Sequence, residues 1–199
     1  NNPICLADST AGLTHLLYGH NYARIWTRSS ANEGLTWSAP REITYALQAV
    51  RAQYDWGIAA VGPGHGVQLA GGRLLAPVWL SSSHTRAHQP SRVTVLYSDD
   101  HGLSWQAGDL VPDTVPCCNE TSAIALAGGG ALLNMRNLGS THRRAVTRSA
   151  DGAHGWATPW LEEALPEPRC FASMVRYGWP SDEQPGIVLF ANPDNLFDT

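Results

Sequence analysis

Ser98-Asp99-Asp100-His101-Gly102-Leu103-Ser104-Trp105 follows a run of strand-forming residues, Val93-Thr94-Val95-Leu96-Tyr97, and this stretch decides the fold class. The same frame stands earlier as Ser30-Ala31-Asn32-Glu33-Gly34-Leu35-Thr36-Trp37, after Ala23-Arg24-Ile25-Trp26-Thr27. It returns as Ser149-Ala150-Asp151-Gly152-Ala153-His154-Gly155-Trp156, after Arg144-Ala145-Val146-Thr147-Arg148. Ser and Trp lie seven apart each time, and Pro40 and Pro159 follow their tryptophans by three. A short Asp or Asn side chain closes a turn by accepting backbone N–H groups a few residues on. Gly supplies a positive φ, and Trp buries a large ring that locks the turn to its neighbour. These are devices for joining antiparallel strands. Ser30, Asn32, Gly34, Trp37, Ser98, Asp100, Gly102, Trp105, Ser149, Asp151 and Trp156 are therefore read as structural, with no chemistry assigned to them.

Outward from the repeats, more strands are legible. Thr14–Tyr18 is one. Val67–Leu69 and Arg73–Trp79 flank Gly71-Gly72, and Ser122–Leu126 and Ala131–Arg136 flank Gly128-Gly129-Gly130, so each pair reads as a hairpin. Ile187–Ala191 is a late strand, and no stretch has a helical period. The turns recur at spacings of 68 and 51 residues, which fits blades of about four short strands. The expected fold is all-β, a β-propeller of which the chain covers three to three and a half blades, with residues 1–199 as one partial domain.

Bulk composition agrees. Of 199 residues, 43% are hydrophobic and only 15% charged, with 19 Gly, 13 Pro and 8 Trp. That is a chain rich in turns and aromatic anchors and poor in exposed-helix residues. A net charge of −4 lacks the basic footprint of a nucleic-acid binder, and no apolar run is long enough for a membrane-spanning helix. Cys5, Cys117, Cys118 and Cys170 show no Cys-x-x-Cys spacing, so no metal site is expected. They read as buried or loop thiols, although a bridge such as Cys118 to Cys170 is compatible with the sequence. The chain starts Asn1-Asn2-Pro3 and reads as a piece of a longer one.

Two segments go beyond the repeat: Gly62-Pro63-Gly64-His65-Gly66-Val67-Gln68-Leu69, and Asn119-Glu120-Thr121 followed by Asn134-Met135-Arg136-Asn137. With Asn21-Tyr22-Ala23-Arg24 and Phe190-Ala191-Asn192-Pro193, and with the three turns in order, the chain resembles the catalytic domain of exo-α-sialidases (neuraminidases) of the bacterial and lysosomal types. The resemblance covers nearly the whole chain, about the middle half of that domain. It implies a six-bladed propeller with a pocket at the mouth of the channel. It also implies a retaining glycosidase that releases terminal α-linked sialic acid from glycans, glycoproteins or glycolipids, with a Tyr nucleophile and no cofactor.

By the same resemblance, Glu120 is the base that draws the proton from the Tyr hydroxyl. Arg136, sixteen residues on, is one of three arginines that grip the sialic acid carboxylate. Asp55 and Trp56 are candidates for facing the sugar's glycerol chain, and His65 for lining the pocket. Plainer readings stand beside these. Glu120 and Arg136 can be a solvated strand-edge pair, and His65 an ordinary loop histidine. Asn119-Glu120-Thr121 is formally a glycosylation sequon, discounted because a glycan would crowd Glu120. The family's acid/base Asp and first Arg precede the segment matching Asn1–Arg24, and its third Arg and Tyr follow Pro193. Activity is thus expected of a longer parent and not of these 199 residues alone. The alternatives are a non-catalytic sugar-binding or scaffolding propeller, or a trans-sialidase variant. The expected location is secreted or periplasmic, or lysosomal in a eukaryote.

Overall fold

A computed structural model describes residues 1–197. Three mainly antiparallel sheets and a final hairpin follow one another along the chain. The first sheet holds β1 (Ile4–Asp8), β2 (Leu13–His20), β3 (Arg24–Ser30) and β4 (Arg41–Glu42). Two short helical turns, Thr44–Leu47 and Gln48–Arg51, lead to β5 (Ile58–Val61) and to β6 (Gly64–His65), which joins the first sheet; β5 with β7 (Val67–Gln68), β8 (Leu74–Ser81), β9 (Ser91–Ser98) and β10 (Gln106–Ala107) makes the second. The third is β11 (Thr121–Ala125), β12 (Ala131–Met135), β13 (Arg143–Ser149) and β14 (Trp160–Pro166), and the hairpin is β15 (Ser173–Gly178) with β16 (Ile187–Ala191). The antiparallel strands run in up-and-down order, and β6 pairs in parallel with β1 at the edge of the first sheet. These are the blades of a partial propeller, three and one half in number.

Burial shows how the blades stack. Every residue of β8 is buried, and its two faces enter different cores. Leu74, Ala76, Val78 and Leu80 join Ile4, Leu6, Leu17 and Ile25 in a seam between the first and second blades. Leu75 and Trp79 join Ala123, Leu133 and Met135 in a seam between the second and third. A strand covered on both faces reads as a continuous apolar run, and one covered on a single face alternates. Other strands do alternate: His15, Leu17 and Gly19 of β2 are buried between less buried neighbours, and Val188 and Phe190 of β16 are half-buried between exposed ones. Val175, Ile187 and Leu189 lie exposed on the final hairpin. Gly66 in the Gly-Pro-Gly-His-Gly segment is required by packing, because a Cβ there would stand 2.6 Å from the Leu75 carbonyl oxygen and 2.6 Å from Leu6.

The repeated turns have the expected construction with one shift in register. In the second, Ser98 Oγ accepts from Gly102 N–H at 2.8 Å, and Asp100 Oδ1 accepts from Ser104 N–H at 2.8 Å. Ser30 and Asn32 repeat this at 2.9 Å and 2.9 Å. In the third, the glycine comes one residue earlier and Asp151 Oδ1 accepts from Ala153 and His154 instead. Trp105 and Trp156 are buried, each in the seam toward the preceding blade. Trp37 is only half-buried, since no described sheet lies beyond its face. The preceding blade also grips the turn: Arg41 donates to the carbonyls of Gly102 and Leu103, and Arg73 to the carbonyl and carboxylate of Asp151. His101 Nδ1 lies 2.7 Å from the buried Asp8. No sequence motif pointed to these ties.

A prediction arises here. Asn32 performs in the first turn what Asp100 does in the second, so the turn needs an acceptor and not a charge. Asp100→Asn is expected to cost under about 1 kcal/mol and Asp100→Ala about 1–3 kcal/mol, read from urea midpoints. Burial works against the Asp100 charge, but bonds from Ser104 and Ser98 outweigh it and hold the carboxyl below its usual range; Asp151 is held down likewise by His154, Ala153 and Ser149. A depressed carboxyl contributes stability above its unfolded value, near 3.9, which is lost as pH falls through the folded value. Asp100→Asn should therefore shallow the acid decline below about pH 4. An equal loss for Asn and Ala would refute the acceptor account.

Candidate functional site

The third blade fixes the position of the Glu120–Arg136 pair. Thr121 pairs with Met135 and Ala125 with Ala131, a hairpin centred on Gly128. That register continues one step past the strands: Arg136 N–H donates to the Glu120 carbonyl at 2.9 Å, and Asn119 N–H to the Arg136 carbonyl at 2.9 Å. Two residues sixteen apart thus become direct cross-strand neighbours. Their side chains meet at 2.6 Å between Arg136 Nη1 and Glu120 Oε2, with 20% and 16% of each side chain exposed. This is a half-buried pair, not a freely solvated one. Because Ala131 pairs with Ser149, the turn of this blade lies at the other end of β12, about 17 Å away. The repeat and the pair occupy opposite ends of the blade.

Asparagines brace both strand ends. Asn119 is fully buried, its Nδ2 donating to the Cys117 carbonyl at 2.9 Å and its Oδ1 accepting from Glu120 N–H at 2.8 Å. A side chain so committed is no glycan acceptor, which agrees with discounting the sequon. Asn137 Nδ2 donates to the Arg143 carbonyl at 2.8 Å and Oδ1 accepts from Gly139 N–H at 2.9 Å, which sets the loop after Arg136. Behind them, Arg144 on β13 reaches Asn134 Oδ1 at 2.6 Å, Glu167 Oε2 at 3.2 Å and the Cys170 carbonyl at 2.8 Å. Both members of that ion pair are buried, at 0% and 1% exposure. No disulfide joins Cys118 to Cys170; Cys118 is buried, which pushes its thiol up to about 12.

An aromatic wall stands on the side of the second blade. Trp79 lies between Tyr22, at 6.1 Å and tilted, and His88, stacked at 4.8 Å. Burial, then the Arg136 charge, lower the His88 pKa, while the Glu120 charge opposes them. His88 was not singled out in the sequence, since nothing local marks a loop histidine that stacks on a tryptophan of β8.

The other expected residues are disposed differently. Asp55 is at the same end of its blade, but its side chain is 90% exposed and pairs with Arg51 at 2.7 Å. Trp56 is a core residue of the first seam, with the Arg51 guanidinium 4.0 Å above its ring, and so is not an open wall for a sugar. His65 has its ring nitrogens at 3.1 Å and 2.7 Å from the carbonyls of Gly66 and Met174, which makes it a tie between the second blade and β15. No described contact joins these three to Glu120 or Arg136. Among the described residues no group of three or more His, Cys, Asp or Glu is placed to hold a metal ion. No described helix is long and apolar enough to cross a membrane.

What the pair can do follows from its free atoms. Arg136 gives Nη1 to Glu120, and its Nη2 makes no described hydrogen bond. A guanidinium in that state binds a carboxylate with one nitrogen and offers another to an anionic ligand. Glu120 Oε2 is engaged and Oε1 makes no described bond, so the carboxylate retains a face for a proton.

Comparison with known proteins bears on the reading. A family model described as a BNR repeat-like domain matches residues 1–192. Sialidase-4 of Mus musculus is 33% identical over 191 residues, 92% of this chain and 39% of that protein. A sialidase of Micromonospora viridifaciens is 30% identical over 168 residues, 82% of this chain and 25% of that protein. Among solved structures, the Hadza microbial sialidase Hz136 superposes with a TM-score of 0.80 at 21% identity, covering 99% of this chain and 40% of that one. Trypanosoma rangeli sialidase in complex with the inhibitor DANA gives 0.73 at 18%, covering 98% and 34%. At these identities the structural likeness speaks for the β-propeller fold alone. The chain spans about two fifths of the length of the Sialidase-4 relatives it matches.

Proposed function

Because this chain belongs to the sialidase-type BNR repeat-like domain family, we propose that the protein of which it forms part hydrolyses terminal α-linked sialic acid from glycans, glycoproteins or glycolipids. The observation that carries the reading is the half-buried Glu120–Arg136 contact of 2.6 Å at the end of the third blade away from its turn. In this reading Arg136 binds the sugar carboxylate through Nη2 and holds Glu120 in place through Nη1. Glu120 takes the proton from a tyrosine hydroxyl as that oxygen attacks the anomeric carbon. The bond to the leaving oxygen breaks with a proton from an acid, and water then releases the sugar with retention. A neutral tyrosine suits a substrate that carries its own carboxylate, which would repel a carboxylate nucleophile.

The tyrosine, the acid and the other two arginines are not among the motif positions this chain supplies, so the 199 residues alone are read as inactive. A secreted or periplasmic location, or a lysosomal one in a eukaryote, belongs to the same reading. The test is release of the fluorophore from a fluorogenic α-sialoside by the full-length protein. Turnover supports hydrolysis. Binding of sialosides without turnover would favour a lectin-like propeller, and transfer to a galactoside in preference to water a trans-sialidase.

A further inference from the structure

The strand pairing of the third blade places four charged side chains in one row. Met135 pairs with Ala145, so the next step of that ladder sets Arg136 opposite Arg144, while on its other side Arg136 already faces Glu120. The two strands are still side by side beyond that step, because Asn137 Nδ2 donates to the Arg143 carbonyl at 2.8 Å. Residues 134 and 136 share a face of their strand. Arg144 Nε donates to Asn134 Oδ1 at 2.6 Å, which puts both arginines on that face. Arg144 is committed further to Glu167 Oε2 at 3.2 Å and to the Cys170 carbonyl at 2.8 Å. Arg136 is tied to Glu120 through Nη1 at 2.6 Å. In this row Arg136 Nε, a donor, and Glu167 Oε1, an acceptor, are each buried without a hydrogen-bond partner. Burial is the largest influence on the charge of Arg144 and of Glu167, and the Arg136 charge acts on both.

We propose that Arg144 and Glu167 are a positioning pair for Arg136: Arg144 occupies Glu167 and stands as a fixed cation beside Arg136, which keeps the Arg136 fork directed to Glu120 and to the substrate carboxylate. The proposal rests on the reading of Arg136 as the residue that grips that carboxylate. Two cations on one face repel, and the two carboxylates at the ends of the row balance them. Without the Arg144 charge, Glu167 becomes an unpaired buried carboxylate, and the next donor in the row is Arg136. An unpaired buried charge is costly, so the carboxylate draws that guanidinium toward itself. The row has then also lost one cation and carries net negative charge, which opposes an anionic ligand. Without Glu167 as well, the row is neutral again and nothing competes with Glu120 for Arg136.

The test is made in the full-length protein, with KM for a fluorogenic α-sialoside and the inhibition constant of free sialic acid as readouts. Arg144→Met is expected to raise both by about tenfold or more, with a smaller change in kcat. A pair that served stability alone would lower the active fraction, and with it kcat, and leave both constants in place. Arg144→Lys keeps the cation and gives up the planar fork, so it is expected to lose stability but hold both constants within about threefold. Arg144→Met with Glu167→Leu is expected to regain most of the affinity that Arg144→Met loses. Constants unchanged in Arg144→Met, raised about tenfold in Arg144→Lys, or no better in the double variant than in Arg144→Met overturn the proposal. The Arg144→Lys outcome decides where Arg144→Met does not fold. Arg136→Gln separates the two readings: if it leaves the inhibition constant unchanged, Arg136 does not grip the carboxylate and both fall, whereas a raised constant there with none in Arg144→Met ends the positioning role alone.

Discussion

Glu120→Gln in the full-length protein is expected to lower the turnover of a sialoside by roughly 10²–10⁴-fold while the fold stays in place. The amide has the shape of the carboxylate and still offers an oxygen to Arg136 Nη1, now 2.6 Å from Oε2. The backbone bonds between Glu120, Asn119 and Arg136 do not involve the changed atoms. What the amide cannot do is take a proton at neutral pH. If Glu120 and Arg136 were only a cross-strand ion pair, the change would cost about 1 kcal/mol of stability or less and leave turnover alone. The two accounts therefore separate by measuring kcat and the urea midpoint on one preparation. Turnover within threefold of the parent would end the role assigned to Glu120. Arg136→Lys adds a second reading: the point charge is kept and the fork is lost, so KM should rise more steeply than kcat falls.

Much of the fold was legible because its information is local. Ser98 to Trp105 closes on itself, so eight residues announce a turn, and the two glycine clusters announced hairpins that the register bears out. Gly128 even fixes the cross-strand partner of Glu120, since an antiparallel hairpin centred there must set 120 against 136. Other elements were not announced. Trp160-Leu161-Glu162-Glu163-Ala164-Leu165-Pro166 has no strand pattern, because β14 is an outer strand with no fully buried residue and is a strand only by pairing with β13. β1 and β15 were not read either, although each is at least as long as β11 or β16. The continuous apolar run of β8 showed burial, but which blade covers which face is a tertiary fact.

The same division runs through the site. Glu120 and Arg136 share a hairpin, so their meeting is local. Trp56 and His65 stood near recognisable segments and were drawn toward the pocket, whereas packing claims the first for a core and two carbonyls claim the second. Arg144 depends on Glu167 and Cys170, distant along the chain, and no pattern in its neighbourhood announces it.

Arg144→Met is expected to destabilise the protein by about 3–5 kcal/mol, the largest loss foreseen for a single change away from the apolar seams. Arg144 lies fully buried on β13 and uses Nε, Nη1 and Nη2 on Asn134, Glu167 and the Cys170 carbonyl. Glu167 depends on it more than the reverse. Its Oε2 is shared between Arg144 and the Cys170 N–H, and its Oε1 is buried with no partner. Burial pushes the Glu167 carboxyl above its usual range even with Arg144 pulling it back. Without the arginine it must either take a proton or remain as a lone buried charge. A carboxyl whose folded value is raised keeps its stability below the unfolded value and loses it as pH rises through the folded one. The deficit of Arg144→Met should thus be larger at pH 8 than at pH 5. Arg144→Met with Glu167→Leu removes both charges, and is expected to recover at least half of the loss. The segment at stake, from Glu167 to Ala172, carries the chain from β14 to β15 past the Asn134 side of the site, and Ser122 Oγ holds its Ala172 carbonyl. Urea unfolding followed by tryptophan fluorescence at the two pH values reads all three proteins. A single mutant within about 1 kcal/mol of the parent at pH 8 would mean that solvent reaches Glu167, and that the pair braces nothing.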